Sequence, residues 1–291
     1  AITRLRRLMY CGEWIESHAL HVFLLHAPDF LDFDSAWAMA RDHGEVVEMG
    51  LNIKKMGNEL LRAVGGRAVH PVNVRVGGFY RAPTPNELAE LVPALERARE
   101  QADAAVDWVA KLPFPDFEQD YEFVALRHPE RYAIEGGRLV SSSGLDIAPG
   151  SYEEHFSEEH IEHSTALHSR LRDGGTYFLG PMARYSLNSS QLSPRARAAA
   201  ERAGLGAECR NPFRSIIVRS VEVLYALDEA LRLISEYEPF DPPAVEVEPR
   251  ASEGTGWSEA PRGMLWHRYR LEADGSIAEA MARWAQVPTL F

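Results

Sequence analysis

Two long stretches of apolar residues at helical spacing place the strongest constraint on the fold of this 291-residue chain. Within residues 2–26, and again within 212–237, apolar side chains recur every three to four positions, which is the period of an amphipathic helix. A similar stretch over 35–64 ends at the pair Gly65-Gly66, a typical helix C-cap. Because each such helix must bury its apolar face, the long helices are expected to pack together in a central bundle.

Shorter segments indicate strands and hairpins outside this bundle. Residues 65–78 are bracketed by two glycine pairs and alternate valine with polar residues, which is the period of a strand. Residues 132–140 and 264–280 each contain a glycine-bearing turn and are expected to form hairpins. The sequence therefore predicts an α+β fold that is predominantly α, with a central long-helix bundle and peripheral short strands and hairpins.

Three further segments are expected to be helical. A capping box at Thr84 opens a helix that should run to about Lys111, and residues 193–203 begin with a Ser-Pro start signal. Residues 151–172 are acidic and rich in histidine, and we expect a helix there as well. A short Pro-rich connector follows the last long helix but marks no convincing domain boundary, so we expect a single domain over residues 1–291.

The composition excludes several classes of partner. With 31 Lys and Arg against 43 Asp and Glu, the chain has a formal net charge of −12, whereas nucleic acids and anionic membranes attract basic surfaces. No stretch approaches the ~20 apolar residues that a membrane helix needs. The two cysteines, Cys11 and Cys209, lie far apart and form no Cys-x-x-Cys pair. We therefore expect no nucleic-acid partner, no membrane span and a cytoplasmic location.

Residues 259–263, with the sequence Glu-Ala-Pro-Arg-Gly, are the segment that most suggests chemistry. Pro261 fixes the backbone before Arg262, and the glycine that follows permits a tight turn. A guanidinium held in this way can present five fixed donors inside a pocket, or it can stand at the surface of a turn. Asp29, near the end of the first helix, is either a cap for the next element or a buried carboxylate paired with a cation. In a dry site, such a pair could assist a proton-coupled step.

Three histidine-bearing patterns have a structural interpretation beside a functional one. His160 and His163 could share one helical face and bind a metal, or they could belong to a solvated charged helix. His18 and His21 have the same spacing among apolar neighbours, where a hydrogen-bonded core histidine is the simpler interpretation. His70 follows a glycine pair in a loop that lacks the Gly-Lys-Ser/Thr of a phosphate loop. That loop either caps a helix or shapes a buried pocket.

Taken in order, four segments resemble the large subunit of nickel–iron hydrogenases. Residues 13–30 are similar to the family's helix that ends in a His-x-x-Asp-aromatic segment, and residues 65–78 to its Gly-Gly-x-x-x-His-Pro loop. Residues 259–263 match its Glu-x-Pro-Arg-Gly motif, and residues 180–188 also fit. The resemblance extends over essentially the whole chain. It is closest to the cytoplasmic, multi-subunit branch that exchanges electrons with NAD(P) or a deazaflavin.

The resemblance implies a nickel–iron centre whose iron carries carbon monoxide and cyanide, and at which hydrogen is split heterolytically. It implies that Arg262, Asp29 and Pro261 lie in the canopy over this centre. Arg262 would polarise hydrogen or accept its proton, and Asp29 would hold the guanidinium. Glu259 would anchor the loop, and His70 would belong to the active-site pocket. Electrons would pass to an iron–sulfur small subunit and to flavin-containing electron-transfer (diaphorase) subunits.

One departure separates the chain from this family. The family holds its metals with thiolates from two Cys-x-x-Cys motifs, and neither Cys11 nor Cys209 stands at a matching position. We therefore expect a fragment that lacks both motif-bearing ends and is inactive by itself, or else a degenerate, metal-free homologue. The alternative function is that of a non-catalytic scaffold or quinone-pocket homologue of the respiratory complex I type.

Overall fold

The computed structural model describes residues 1–173 and 175–286 of the chain. The chain divides into two compact units, and each is assembled from separate segments. The first unit contains Ala1–Asp116, Leu192–Gly206 and Phe213–Val247, and the second contains Phe117–Gln191, Ala207–Pro212 and the part that begins at Glu248. The single domain expected over residues 1–291 stays a prediction.

The first unit is a bundle of helices. Its helices are α1 (Ile2–Leu20), α2 (Ala27–Phe30), α3 (Ala36–Met39), α4 (Gly44–Gly65), α5 (Pro85–Ala89), α6 (Val92–Val109), α9 (Pro194–Arg202) and α10 (Ser215–Ser235). A π-helical segment, His21–His26, joins α1 to α2. Helix α10 packs against α1, α6 and α9, and α4 packs against α1 and α6. Most residues of α10 are buried, as expected for a helix that is apolar on nearly all sides. The expected bundle of long helices is confirmed in this unit.

Two of the expected long helices are interrupted. The stretch over 35–64 forms two helices, since Ser35 caps the single turn α3 and the chain re-enters helical geometry only at α4. The capping box at Thr84 is confirmed, but the helix that it opens stops at Ala89 and restarts as α6. Pro93 has no backbone N–H to donate to the carbonyl group four residues earlier, so the helical ladder breaks there.

The strand expected over residues 65–78 is wrong for most of its length. Only β1 (Val74–Arg75) and β2 (Gly78–Phe79) pair, as a minimal hairpin. The residues before them form a loop in which Asn73 Nδ2 donates to the carbonyl oxygen of Val64 at 2.8 Å. The alternating valines of this segment are exposed. A longer strand here is therefore not stabilised by burial of their side chains.

The second unit is built from short antiparallel sheets and two short helices. Its strands are β3 (Val124–Arg127), β4 (Arg138–Ser141), β5 (Asp146–Ile147), β6 (Phe156–His160), β7 (Leu167–Leu171), β8 (Ser252–Ala260), β9 (Gly263–Leu271) and β10 (Ile277–Gln286), and its helices are α7 (Tyr152–His155) and α8 (Pro181–Asn188). The strands form three sheets with the orders β3-β4-β5, β6-β7 and β10-β9-β8. An apolar core that includes Tyr152, Trp257 and Trp266 joins them.

Two expectations for the second unit are wrong. Residues 151–172 form the β6–β7 hairpin after one helical turn instead of a helix. The cause is that Phe156 and Leu171 pair across the hairpin and both enter the apolar core. Residues 132–140 do not pair with each other either, because β4 pairs with β3 and β5. The hairpin expected over 264–280 is confirmed as β9 and β10.

Two expectations concern the fold class and membrane-spanning helices. The α+β fold with helices dominant is confirmed. Within the two described ranges, no helix has both the length and the apolar character required to span a membrane.

Candidate functional site

The Glu-x-Pro-Arg-Gly segment forms the tight turn between β8 and β9. The two strands pair as far as Ala260 opposite Gly263, which leaves Pro261 and Arg262 as the turn itself. Pro261 is buried, whereas Arg262 is exposed. Since paired strands fix the turn on both sides, Arg262 lies at a defined position at the end of the β8–β9 hairpin.

A buried arginine from α8 holds this turn. Arg184, which is 0% exposed, donates from Nη1 to the carbonyl oxygen of Ala260 at 2.8 Å and from Nη2 to that of Pro261 at 2.7 Å. Nη1 also lies 3.1 Å from Glu259 Oε2, and that carboxylate is buried to the same degree. Charge-assisted hydrogen bonds are stronger than neutral ones. The backbone of the turn is therefore held from inside the second unit.

Glu259 and Asn188 complete the cluster around Arg184. Glu259 Oε1 accepts the backbone N–H of Leu126 at 2.9 Å, and the backbone N–H of Glu259 donates to the carbonyl oxygen of Ile134 at 2.7 Å. Asn188 Nδ2 donates to the carbonyl oxygens of Leu126 and Arg184, both at 3.0 Å. Elements β3, β8 and α8 thereby share one buried network in which each charge has an opposite partner, as buried charges require.

The sequence pointed to only part of this network. Glu259, Pro261 and Arg262 lie together because they are neighbours along the chain, and the contacts of Glu259 support an anchoring role. Nothing in the sequence marks Arg184 individually, although it belongs to residues 180–188, which contribute to the resemblance. Its partner Glu259 is 75 positions away, and no local pattern reveals a pairing over that separation.

Asp29 and His70 belong to the first unit, whereas Arg262 belongs to the second. Asp29 lies in the first turn of α2 and is exposed, not buried. Its interpretation as a cap for the next element is wrong, because Ser35 caps α3 by accepting the backbone N–H of Ala38. His70 is exposed and has a φ of 51°. A common site that includes Asp29, His70 and Arg262 stays a prediction.

A second set of buried polar groups lies between α1 and α10. Arg7 forms an ion pair with Glu229 and donates from Nη2 to Tyr225 Oη at 2.8 Å. Further along α1, His18 Nε2 lies 2.9 Å from Glu222 Oε2, and both side chains are buried. The interpretation of His18 as a hydrogen-bonded core histidine is confirmed.

His26 ends the π-helical segment that begins with His21. The Nε2 atoms of the two imidazoles are 3.2 Å apart. Burial lowers the pKa of His26 to about 4, and the positive charge of Arg219 acts in the same direction. The imidazole of His26 is therefore neutral at pH 7. A neutral imidazole has one donor and one acceptor nitrogen, as a short contact between two histidines requires.

The thiolate set that the resemblance implies is not found in the described part of the chain. Cys11 is buried in α1 of the first unit, and Cys209 is buried in the second unit. Among residues 1–173 and 175–286, no group of three or more His, Cys, Asp or Glu side chains is placed to hold a metal ion. His160 and His163 are exposed, one at the end of β6 and one just after it. By themselves, the described residues do not fit a nickel–iron centre.

Comparison with known proteins identifies related sequences. No family model matches the chain. The alpha subunit of sulfhydrogenase 1 from Pyrococcus furiosus is 30% identical over 283 residues, which cover 96% of this chain and 66% of that subunit. The alpha subunit of sulfhydrogenase 2 from the same organism is 31% identical over 286 residues, covering 94% of this chain and 64% of that subunit. The chain thus spans just under two thirds of the length of these relatives.

A solved structure has the same fold. The crystal structure of an NAD+-reducing NiFe-hydrogenase in the H2-reduced state superimposes with a TM-score of 0.85 at 24% identity, over 97% of this chain and 68% of that chain. At this level of identity, the likeness shows the fold alone.

Proposed function

Because the chain belongs to the family of nickel–iron hydrogenase large subunits, we propose that it is the large-subunit part of an enzyme that oxidises hydrogen and, in reverse, reduces protons. The two sulfhydrogenase subunits and the fold of the NAD+-reducing enzyme support this proposal. The activity would belong to the whole enzyme. Residues 1–291 in isolation are proposed to be inactive, since they offer no thiolate set for the metals.

The clamped turn between β8 and β9 supports this function most directly. Its backbone is held at Ala260 and Pro261 by Arg184, while the side chain of Arg262 is exposed beyond it. A guanidinium stays charged at physiological pH and carries its donors in one rigid plane. A positive group on a backbone held in this way can orient a reactant and stabilise developing negative charge during the reaction. In the proposed enzyme, Arg262 has this role, and Pro261 and Glu259 fix its position.

We also propose roles for the two remaining members of the expected site. Asp29 would hold the guanidinium of Arg262 in the whole enzyme, and His70 would line the same pocket. Both are exposed in the first unit, which leaves their side chains accessible for such roles. Separate substitutions of these two residues in the complete enzyme test the two roles.

Cofactors and partners follow from the family. When bound, a nickel–iron centre with carbon monoxide and cyanide ligands supplies the hydrogen chemistry. The described residues of this chain do not hold this centre. The contribution that we propose for the chain is therefore limited to the surrounding protein scaffold and to Arg262. Iron–sulfur clusters and flavin would belong to partner subunits. These would be an iron–sulfur small subunit and electron-transfer subunits linked to NAD(P) or a deazaflavin, in the cytoplasm. The metal-free scaffold of the complex I type is not favoured, because the relatives are hydrogenases.

The test is the substitution Arg262→Lys in the complete enzyme. A lysine keeps the charge but replaces the planar set of donors with a single mobile ammonium. We expect hydrogen oxidation to fall by about a hundredfold or more, as for other preorganised electrostatic groups, while nickel content stays the same. Arg250→Lys is the control, since Arg250 is exposed before β8 and far from the turn in sequence. Unchanged turnover in a nickel-replete Arg262→Lys enzyme would remove Arg262 from the reaction.

A further inference from the structure

The geometry points to Arg184 as a positioning residue for Arg262. Arg184 holds the carbonyl groups of the two residues that precede Arg262, and it thereby sets the direction in which the turn presents that side chain. The inference rests on the proposed function for the importance of Arg262. Arg184 acts through the backbone and through Glu259, so it contacts no reacting atom.

Both carbonyl groups that Arg184 binds lie where the strand ladder stops. Ala260 is the last residue of β8, and Pro261 lies in the turn beyond the paired residues. Two nitrogens of one guanidinium donate to them, at 2.8 and 2.7 Å. Because these nitrogens lie in one rigid plane, the two peptide groups are fixed relative to each other. The backbone of the next residue, Arg262, has correspondingly little freedom.

The guanidinium is itself held by a closed set of hydrogen bonds. Glu259 binds Arg184 with one carboxylate oxygen and the backbone N–H of Leu126 with the other. The carbonyl oxygen of Leu126 accepts from Asn188, which also donates to the carbonyl oxygen of Arg184 one turn earlier in α8. The path from Arg184 through Glu259, Leu126 and Asn188 therefore returns to Arg184. Displacing any of these four residues would break a buried hydrogen bond.

The ion pair with Glu259 alone does not account for an arginine at this position. A buried ion pair can often be replaced by apolar side chains of similar size with little loss of stability. An apolar side chain cannot bind two backbone carbonyl groups at the same time. A guanidinium can bind both carbonyl groups, and it thereby fixes the geometry of the turn.

Arg7 provides a matched control. It is 1% exposed and pairs with the buried Glu229, as Arg184 pairs with Glu259. Its bond to Tyr225 goes to a side chain between two helices, in the unit that does not contain the turn. Lysine at either position keeps the charge and removes the planar donor set.

The first test is hydrogen–deuterium exchange in the complete enzyme. We expect the backbone amides of residues 258–260 and 262–265 to exchange at least about tenfold faster in Arg184→Lys than in the native protein, and to be unaffected in Arg7→Lys. Unchanged exchange in Arg184→Lys would overturn the inference. Should that variant not fold, the double variant Arg184→Met/Glu259→Gln leaves no unpaired buried charge in the pair, and the same comparison decides.

The second test is a double-mutant cycle on hydrogen oxidation. Arg184→Lys is expected to lower turnover by about ten- to a hundredfold, as small misplacements of catalytic groups do. It should have almost no further effect once Arg262 is replaced by lysine, because Arg184 acts through that residue. Losses that multiply in the double variant would contradict the inference. If Arg262→Lys alone leaves turnover unchanged, the proposed role of Arg262 fails, while the exchange experiment still decides whether Arg184 holds the turn.

Discussion

The crossing of α1 and α4 depends on two glycines, and an alanine at Gly57 should force the helices apart. A Cβ atom at Gly57 would lie 2.6 Å from the carbonyl oxygen of Gly12 and 2.6 Å from the backbone nitrogen of Glu16. Both are backbone atoms of α1, so no side-chain rotation relieves the overlap. Ordinary contact between such atoms needs roughly 3.5 Å, and the helices would have to separate by about 1 Å at this point.

The expected change in stability is the difference between two effects. Alanine in place of a helical glycine gains up to about 1 kcal/mol of helix propensity. Overpacking a close-packed interface costs about 1–3 kcal/mol, and the cost lies at the upper end when only backbone can move. We therefore expect Gly57→Ala to lower the free energy of unfolding by about 2 kcal/mol, which corresponds to a fall of roughly 4–8 °C in Tm.

Gly44 on the same helix gives the matched control, because nothing lies within 4 Å of a Cβ atom at that position. Thermal unfolding followed by circular dichroism should show Gly44→Ala unchanged or slightly stabilised and Gly57→Ala clearly destabilised. Equal unfolding midpoints for the two variants would refute the reasoning about backbone contact at the crossing.

Three further expectations concern the buried polar groups and the metal. Glu222→Gln should lower the free energy of unfolding by about 1–3 kcal/mol, because it replaces the carboxylate in the buried hydrogen bond with His18 by an amide, whereas the exposed Glu90→Gln should change little in the same urea titration. The folded pKa of His26, about 4, lies below its ordinary value of 6.5. Between pH 4 and pH 6.5, the unfolded chain therefore binds a proton at His26 more readily than the folded chain does. The contribution of His26 to the free energy of unfolding is fully present above pH 6.5 and falls as the pH drops towards 4. His26→Gln should flatten that fall in pH-dependent denaturation, and an unchanged slope would exclude His26 as its source. Residues 1–291 expressed alone should bind far less than one nickel per chain by elemental analysis, and stoichiometric nickel would show that a ligand set exists without thiolate pairs.

The features that the sequence predicted correctly have local causes. The capping box at Thr84 and the Ser-Pro start at residue 193 satisfy backbone N–H groups within a single turn. The apolar run in 212–237 has enough length to specify a helix on its own, and the turn near Gly275 specifies the last hairpin. In each case the residues that determine the structure lie within a few positions of one another.

The features that the sequence did not reveal depend on distant partners. Strand β8 is poor in β-branched residues and exists because it pairs along its whole length with β9. The β6–β7 hairpin forms because Phe156 and Leu171 reach the same apolar core. The site follows the same rule. Arg262 is marked by its own neighbours, Pro261 and the glycine after it, whereas Arg184 is revealed only by its contacts with a strand and a turn far along the chain.

Isotope exchange measures the central claim most directly, since heterolytic cleavage of hydrogen needs no electron acceptor. The complete enzyme, purified without oxygen and shown to contain nickel, would be incubated with H2 in D2O while the gas phase is followed by mass spectrometry. HD and then D2 should appear, and their rate of formation should fall by about a hundredfold in Arg262→Lys but not in Arg250→Lys. Nickel-replete native enzyme that forms no HD would contradict the proposed activity, and equal rates in the two variants would contradict the role of Arg262.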